Sequence, residues 1–581
     1  MNDSYTVEKN VQMLIYLMKK HNIKKVIASP GTTNITFLAS IQQDTFFEIY
    51  SAADERSAAY IACGMAAESG EPVALTCTGA TASRNYISGL TEAYYRKLPI
   101  LAITSSQHLG RIGQLIPQVI DRSSIQNDIA VLSVNISTIH DEEDEWDCNV
   151  KLNSALLALR YRGGGPVHIN LCTTYNRNFN VEKLPEFRTI SRIVDLKNKP
   201  TILVNKVAIF VGAHLRWEEK LIKAVEEFCE KYNAVVLCDH TSNYTGKYRV
   251  QYNLVKAQLR HQFSSNNIEL LIDMGEVSGA YMELKPKEVW RVNRDGEIKD
   301  LWHSLTYIFD MDEYDFFNAY NKDIDNCIKT DYYTECKGNY DLLINKMPDL
   351  PFSNIWMAFM SCKRMPTNSI IHFGILNSLR SWNFFEIDNS ITCYCNTGGF
   401  GIDGVTSAFI GSSLASPEKL HFLIIGDLAF FYDINSLANR HVGNNLRILL
   451  INNGCGTEFK NYSHFASQFG EEADLFIAAK GHYGQKSPDL IKHYSLDLGF
   501  EYICASNKNE FLENINYFCS DIKEKSILFE VFTSDEDESN ALKMINHIID
   551  DGPTIRGVAK DIVKDVLGVK GVNKLKQIIK G

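Results

Sequence analysis

Apolar residues in this chain gather in short runs without alternation, and each run ends in a small polar or glycine cluster. Phe422 to Ile425 and Ile448 to Ile451 are two of them, rich in leucine and β-branched residues. A strand covered on both faces of a parallel sheet has this pattern. The first run gives way to Gly426-Asp427 and the second to Asn452-Asn453-Gly454, and Asp433 to Arg440 between them is long enough for a crossover helix. The same signature predicts strands at Lys25–Ser29, Pro72–Cys77, Leu98–Thr104, Val207–Gly212, Ala234–Asp239, Leu270–Met274 and Ser526–Phe532. Between them, Val11, Leu14, Ile15 and Met18 follow a helical period within Val7–His21, and Trp217–Lys231 reads as a further helix. Strands alternating with helices imply an α/β fold of doubly wound parallel sheets. Such sheets bind ligands at the carboxyl ends of their strands, where Asp427 and Asn453 are expected to emerge.

Composition narrows the function classes. At 581 residues the chain has room for about three or four domains. A net charge of -11 argues against nucleic acid or an anionic membrane as the main partner, because both are bound through clustered Lys and Arg. Met1 to Asn10 is polar, and no apolar run reaches the roughly 18 residues of a membrane span, so a cytoplasmic location is expected. The 14 cysteines include no paired C-x2-C array, and buried reduced thiols are expected, Cys393 and Cys395 on an Ile391–Cys395 strand among them. The acidic run Asp141–Asp147 reads as favourable charge before a helix beginning near Val150, and the aromatic-rich Trp302–Tyr320 as a packed linker.

Asp427 and Asn453 offer one carboxylate and one amide oxygen, a set that suits a hard divalent cation such as Mg2+ shared with phosphate groups. Gly426 and Gly454 let a backbone approach a diphosphate closely. Alone, the pair is weak evidence, because strand-end Asp and Asn more often cap helices or form turns. Glu55, in Asp54-Glu55-Arg56 at a helix start, is by local evidence a macrodipole partner. His108, on the loop after Leu98–Thr104, is either a proton shuttle or a solvated side chain.

The stretch from Gly426-Asp427-Leu428 to Asn452-Asn453 resembles the thiamine-diphosphate motif of the 2-oxo-acid decarboxylase and acetolactate synthase superfamily. Its Tyr432-Asp433-Ile434-Asn435 is similar to the YDxN of the menaquinone-pathway synthases within it. The resemblance implies three domains: pyrimidine-binding (1–185, closing with Gly163–Leu171), central (186–348) and diphosphate-binding (349–540), followed by a helical extension (541–581). It implies Mg2+ held by Asp427, Asn453 and the Cys455 carbonyl. It also implies cofactor contacts at Thr78, Gly79, Asn396, Gly399, Ile402, Gly426, Leu428 and Gly456. Asp54-Glu55-Arg56 matches the family's DER signature, which sets Glu55 against the aminopyrimidine ring for acid-base catalysis relayed through the cofactor.

The substrate pocket implied by the resemblance comprises Thr32, Thr33, Asn34, Gln114, Gln118 and Thr397, with Gln114 and His108 as further catalytic candidates. Three family arginines are replaced, by Thr32-Thr33, Pro117 and Thr397. Arg380 and Arg111 are either their substitutes or ordinary ion-pair residues. The implied activity is decarboxylation of a 2-oxo acid with transfer of the acyl-anion equivalent to an organic acceptor different from the family's. A simple decarboxylase or a non-catalytic relative are the alternatives. A homodimer or homotetramer with active sites between subunits is expected.

Overall fold

The computed structural model describes residues 4–550 apart from 216, 281, 324–330, 483–486 and 523. The chain divides into two compact units, Met1–Asp195 with Arg294–Asp310, and Leu196–Asn293 with the residues from Met311 onward. In the first, β1 (Lys25–Ala28), β2 (Glu48–Ser51), β3 (Val73–Thr78), β4 (Ile100–Ser106), β5 (Leu132–Ile136) and β6 (Val167–Cys172) form a parallel sheet ordered β2-β1-β3-β4-β6-β5. A short strand, β7 (Ser191–Ile193), follows.

The second unit carries β8 (Val207–Val211), β9 (Val235–Cys238), β10 (Arg249–Gln251), β11 (Leu270–Met274) and β12 (Glu288–Val292), parallel and ordered β10-β9-β8-β11-β12. Back in the first unit, β13 (Leu305–Phe309) pairs with β7. The second unit then adds β14 (Ile370–Phe373), β15 (Thr392–Cys395), β16 (His421–Gly426), β17 (Leu446–Asn452), β18 (Glu501–Ala505) and β19 (Ile527–Phe532), all parallel, ordered β15-β14-β16-β17-β19-β18. The expected class, parallel-sheet α/β with three sheets, is what the chain adopts.

The first and last sheets share more than strand order. Val73 pairs with Lys25 and Ile100, and correspondingly His421 pairs with Ile370 and Leu446. Farther along, Leu101 pairs with Val167 as Arg447 does with Ile527, and Leu132 pairs with Val167 as Glu501 does with Ile527. By position, Gly79 therefore corresponds to Asp427 and Gln107 to Asn453.

Local chemistry explains the elements that differ from expectation. The helix Glu142–Ala158 starts at the acidic run itself, not near Val150, because the Asp141 carboxylate accepts from the Glu143 and Asp144 N–H groups, and the run forms its first turn. The crossover after β16 is a short helix, Asp427–Tyr432, followed by a 3-10 turn at Ile434–Ala438, and not a helix over Asp433–Arg440. Asp433 leaves helical geometry and accepts from the Ser407 N–H and hydroxyl instead. Trp302–Tyr320 is not a linker: it contains β13 and the helix Glu313–Asn321, whose Phe316, Phe317 and Tyr320 are buried.

The helix Glu55–Ser69 is capped by Asp54 and buries Ala58, Ala59, Ala62, Cys63 and Ala66. Its close packing requires Gly89, whose Cβ would lie 2.5 Å from that of Ala59. The cysteines among the described residues are free, and most are buried. The helix Asp535–Ile545 runs through the start of the expected extension, and its apolar stripe from Ile555 to Leu567 lies outside the described residues. No described helix is long and apolar enough to cross a membrane.

Candidate functional site

In the last sheet the chain leaves β14 for its outer neighbour β15 and then returns to β16 on the other side, so the carboxyl ends of β14 and β16 border the crevice where such sheets bind ligands. Asp427 sits at that end of β16, at the first position of its helix and 1% exposed. Its Oδ1 accepts from the Leu428 N–H at 2.9 Å. Its Oδ2 accepts from the Gly454 N–H at 2.8 Å and from His482 Nε2 at 2.9 Å. Next to Gly454, Asn453 follows β17, and its Oδ1 is buried with no hydrogen-bond partner. Leaving such an acceptor unsatisfied costs about 1–3 kcal/mol.

Glycine leaves the backbone bare at the end of β16 and again beyond β15. A Cβ at Gly398, Gly399 or Gly426 would meet no atom within 4 Å. Gly454 has a φ of 78°, which disfavours other residues there. Burial pushes the Cys455 thiol up to about 11, so at neutral pH this residue offers a carbonyl oxygen and not a thiolate. Asn396 and Ile402 are half-buried beyond β15, Thr397 is buried, and Leu428 and Gly456 are half-buried. A carboxylate, an unpartnered amide oxygen and carbonyl oxygens are the donors a hard divalent cation takes, and the bare glycines leave room for phosphate. Among the described residues no group of three or more His, Cys, Asp or Glu side chains could by itself hold a metal ion, so the cation would need amide, carbonyl or phosphate oxygens as well. The residues fit Mg2+ and a diphosphate.

At the corresponding crevice of the first sheet, between β1 and β3, the polar groups are paired with one another. Thr33 Oγ1 lies 2.6 Å from Thr78 Oγ1, donates to the Ser105 carbonyl at 2.8 Å and accepts from the Gly79 N–H at 3.1 Å. Arg122, buried, donates to the Gly79 carbonyl and, at 2.7 Å, to Asn170 Oδ1. Burial of the guanidinium lowers it to about 10. Asn34 donates to the Ser29 carbonyl, while Thr32 is exposed.

Glu55 is half-buried in the first turn of its helix and accepts from Asn85 Nδ2 at 3.3 Å. Ile49, Tyr50, Tyr60 and Ile61, on β2 and the same helix, are exposed. His108, Gln114 and Gln118 lie on an exposed stretch, where His108 Nδ1 accepts from the Gly110 N–H.

The structure thus brings Asp427, Asn453, Cys455 and their glycines together, and separately groups Thr33, Thr78 and Gly79. Of the two arginines considered as substitutes, Arg380 is engaged bidentately by Glu458 at 2.7 and 2.8 Å, and Arg111 donates to Gln107. Sequence reasoning missed His482 and Arg122, which stand in no recognisable spacing.

Two findings define what this arrangement belongs to. Residues 9–128 match the family described as thiamine pyrophosphate enzyme, N-terminal TPP binding domain, the class to which the three parallel sheets also conform. The 2-succinyl-5-enolpyruvyl-6-hydroxy-3-cyclohexene-1-carboxylate synthase of Bacteroides thetaiotaomicron is 30% identical over 570 residues, covering 94% of this chain and 99% of that protein. The synthase of the same name from Phocaeicola vulgatus is 30% identical over 566 residues, with the same coverage. That of Porphyromonas gingivalis is 27% identical over 501 residues, covering 79% of this chain and 85% of its own length. The chain is a thiamine-diphosphate-dependent enzyme and belongs to the family of these synthases.

Proposed function

We propose that this enzyme decarboxylates a 2-oxo acid and transfers the resulting acyl-anion equivalent to an organic acceptor, using thiamine diphosphate and Mg2+. The observation that carries the reading is the buried, unpartnered Asn453 Oδ1 beside Asp427, at the crevice where Gly426 leaves open space. Asp427, Asn453 and the Cys455 carbonyl would hold the cation. Thr78, Gly79, Asn396, Gly399, Ile402, Gly426, Leu428 and Gly456 would line the cofactor. Bound thiamine diphosphate supplies a carbon nucleophile and an electron sink for loss of carbon dioxide.

Glu55, whose carboxylate accepts from Asn85 Nδ2 at 3.3 Å, would hold or give up a proton toward the aminopyrimidine ring of the bound cofactor. The exposed apolar residues Ile49, Tyr50, Tyr60 and Ile61 beside it support a homodimer or homotetramer in which Glu55 meets the diphosphate domain of another subunit. The domains are 1–185, 186–348 and 349–540, and the enzyme acts in the cytoplasm on small molecules.

Thr32, Thr33, Asn34, Gln114, Gln118 and Thr397 line the substrate pocket, and Gln114 and His108 place the acceptor or a proton donor. Arg380 cannot replace the missing cations while Glu458 neutralises it. The acceptor is therefore less anionic than that of the menaquinone-pathway enzymes. The test is calorimetry with thiamine diphosphate and Mg2+, followed by incubation with a panel of 2-oxo acids and acceptors. A coupled product with release of carbon dioxide is expected. Carbon dioxide with no coupled product would make the enzyme a simple decarboxylase, and absence of binding would overturn the cofactor reading.

A further inference from the structure

A segment outside the family motif reaches the candidate cation site. The Gly456 N–H donates to the Ala478 carbonyl at 2.6 Å, and the Gly481 N–H donates to the Gly454 carbonyl at 3.2 Å. These two bonds zip the chain around Ala478–Gly481 onto the loop that carries Asn453 and Cys455. The next residue, His482, has a side chain 9% exposed and places Nε2 2.9 Å from Asp427 Oδ2, with its ring 5.6 Å from that of Phe431. His482 is thus fixed by its backbone on one side and by packing on the other, and it donates to a carboxylate that is itself almost fully buried.

The lone pairs of Asp427 say what this contact does. Oδ2 accepts twice, from Gly454 and His482, and Oδ1 accepts once, from Leu428. A carboxylate oxygen has two lone-pair sites, so the acceptor capacity left by these bonds is on Oδ1. We propose that His482 is a positioning residue for the cation: by holding Oδ2 it fixes the rotamer of Asp427 and presents the free lone pair of Oδ1 to the metal. The proposal rests on the reading of Asp427 as a metal ligand. Outer partners of this kind typically change metal affinity by about 10- to 100-fold when removed. An imidazole that plugged the site in place of the cation would have the opposite effect.

The test is Mn2+ binding followed by electron paramagnetic resonance in the presence of saturating thiamine diphosphate, on wild type, His482→Leu and His482→Gln. Gln retains an N–H donor at about the reach of Nε2, and Leu retains only volume. His482→Leu is expected to weaken Mn2+ by about 10- to 100-fold, with His482→Gln restoring affinity to within about threefold of wild type. Thermal unfolding of both variants in the absence of cofactor separates a folding defect from a binding one. If Leu binds Mn2+ as well as wild type, or more tightly, or if Gln fails as badly as Leu while folding normally, His482 does not position Asp427. If the wild type itself binds neither ligand, the cofactor reading falls first and this inference with it.

Discussion

The first and last sheets have one strand order and one set of registers, yet their equivalent edges are in opposite states. At the first, the position corresponding to Asp427 is Gly79, whose N–H and carbonyl are taken by Thr33 and Arg122, and whose Cβ would clash with the Ser105 carbonyl at 2.4 Å. At the last, Asp427 is buried and held by Leu428, Gly454 and His482, the buried Asn453 Oδ1 is unpaired, and a Cβ on the adjoining Gly426 would meet nothing within 4 Å. The central sheet supplies a third outcome: Ala213 and Glu276 bridge across the ends of β8 and β11, and a Cβ on Gly212 would lie 1.9 Å from the Glu276 carbonyl. Topology therefore provides a crevice each time, and the side chains and loops at strand ends decide whether its polar groups are paired, bridged or left unpartnered.

The sharpest way to break the comparison is at Glu55 and Asn453. Glu55→Gln is expected to lower turnover by about 10²- to 10⁴-fold with thiamine diphosphate binding largely kept, measured by steady-state carbon dioxide release beside calorimetry. Near-normal turnover would remove Glu55 from the mechanism. Asn453→Ala is expected to weaken cation-dependent cofactor binding by at least about 100-fold, while the cofactor-free protein unfolds at an unchanged or higher temperature, because an unsatisfied acceptor has been removed. Marked destabilisation without cofactor would mean that Asn453 serves the fold.

Thr33→Val should behave in the reverse sense. It strips partners from the Gly79 N–H and Thr78, so urea unfolding of the cofactor-free protein is expected to show a loss of about 1–3 kcal/mol. An unchanged midpoint would mean that the first crevice is not held by this hydroxyl.

The smallest effect concerns pH. Burial raises the Glu538 carboxyl to about 7, although the Asn354 N–H and the Thr533 hydroxyl donate to it. Between its ordinary value of 4.5 and about 7 the native protein keeps a proton that the unfolded chain releases. Stability should therefore fall as pH rises through that window and gain nothing back above it. Glu538→Gln is expected to flatten this part of the profile, read as denaturation midpoint against pH. An unchanged slope would place the titration elsewhere.

Much of this could be read in the chain because buried parallel strands leave a mark that needs no partner to interpret. Phe422–Ile425 and Ile448–Ile451 are strands in any context that covers both faces, and the residues ending them had to emerge together. β18 escaped because it lies at a sheet edge, where Glu501, Tyr502 and Ile503 are half-buried and no continuous apolar run forms. The crossover was misread because Asp433 binds Ser407, 26 residues earlier in the chain, a preference that helical propensity does not encode. His482 contacts Asp427 across 55 residues, with no fixed interval to betray it. That Asn453 is left unsatisfied is a fact about its surroundings and not about its identity.

Because the two outer sheets share strand order and register, what distinguishes their crevices lies in a few residues at the strand ends. Two copies of one ancestral segment would keep this geometry while dividing labour between them. Seen so, Gly79 and Asp427 are the same address with different tenants, and transplanting one edge onto the other is a concrete route for redesign.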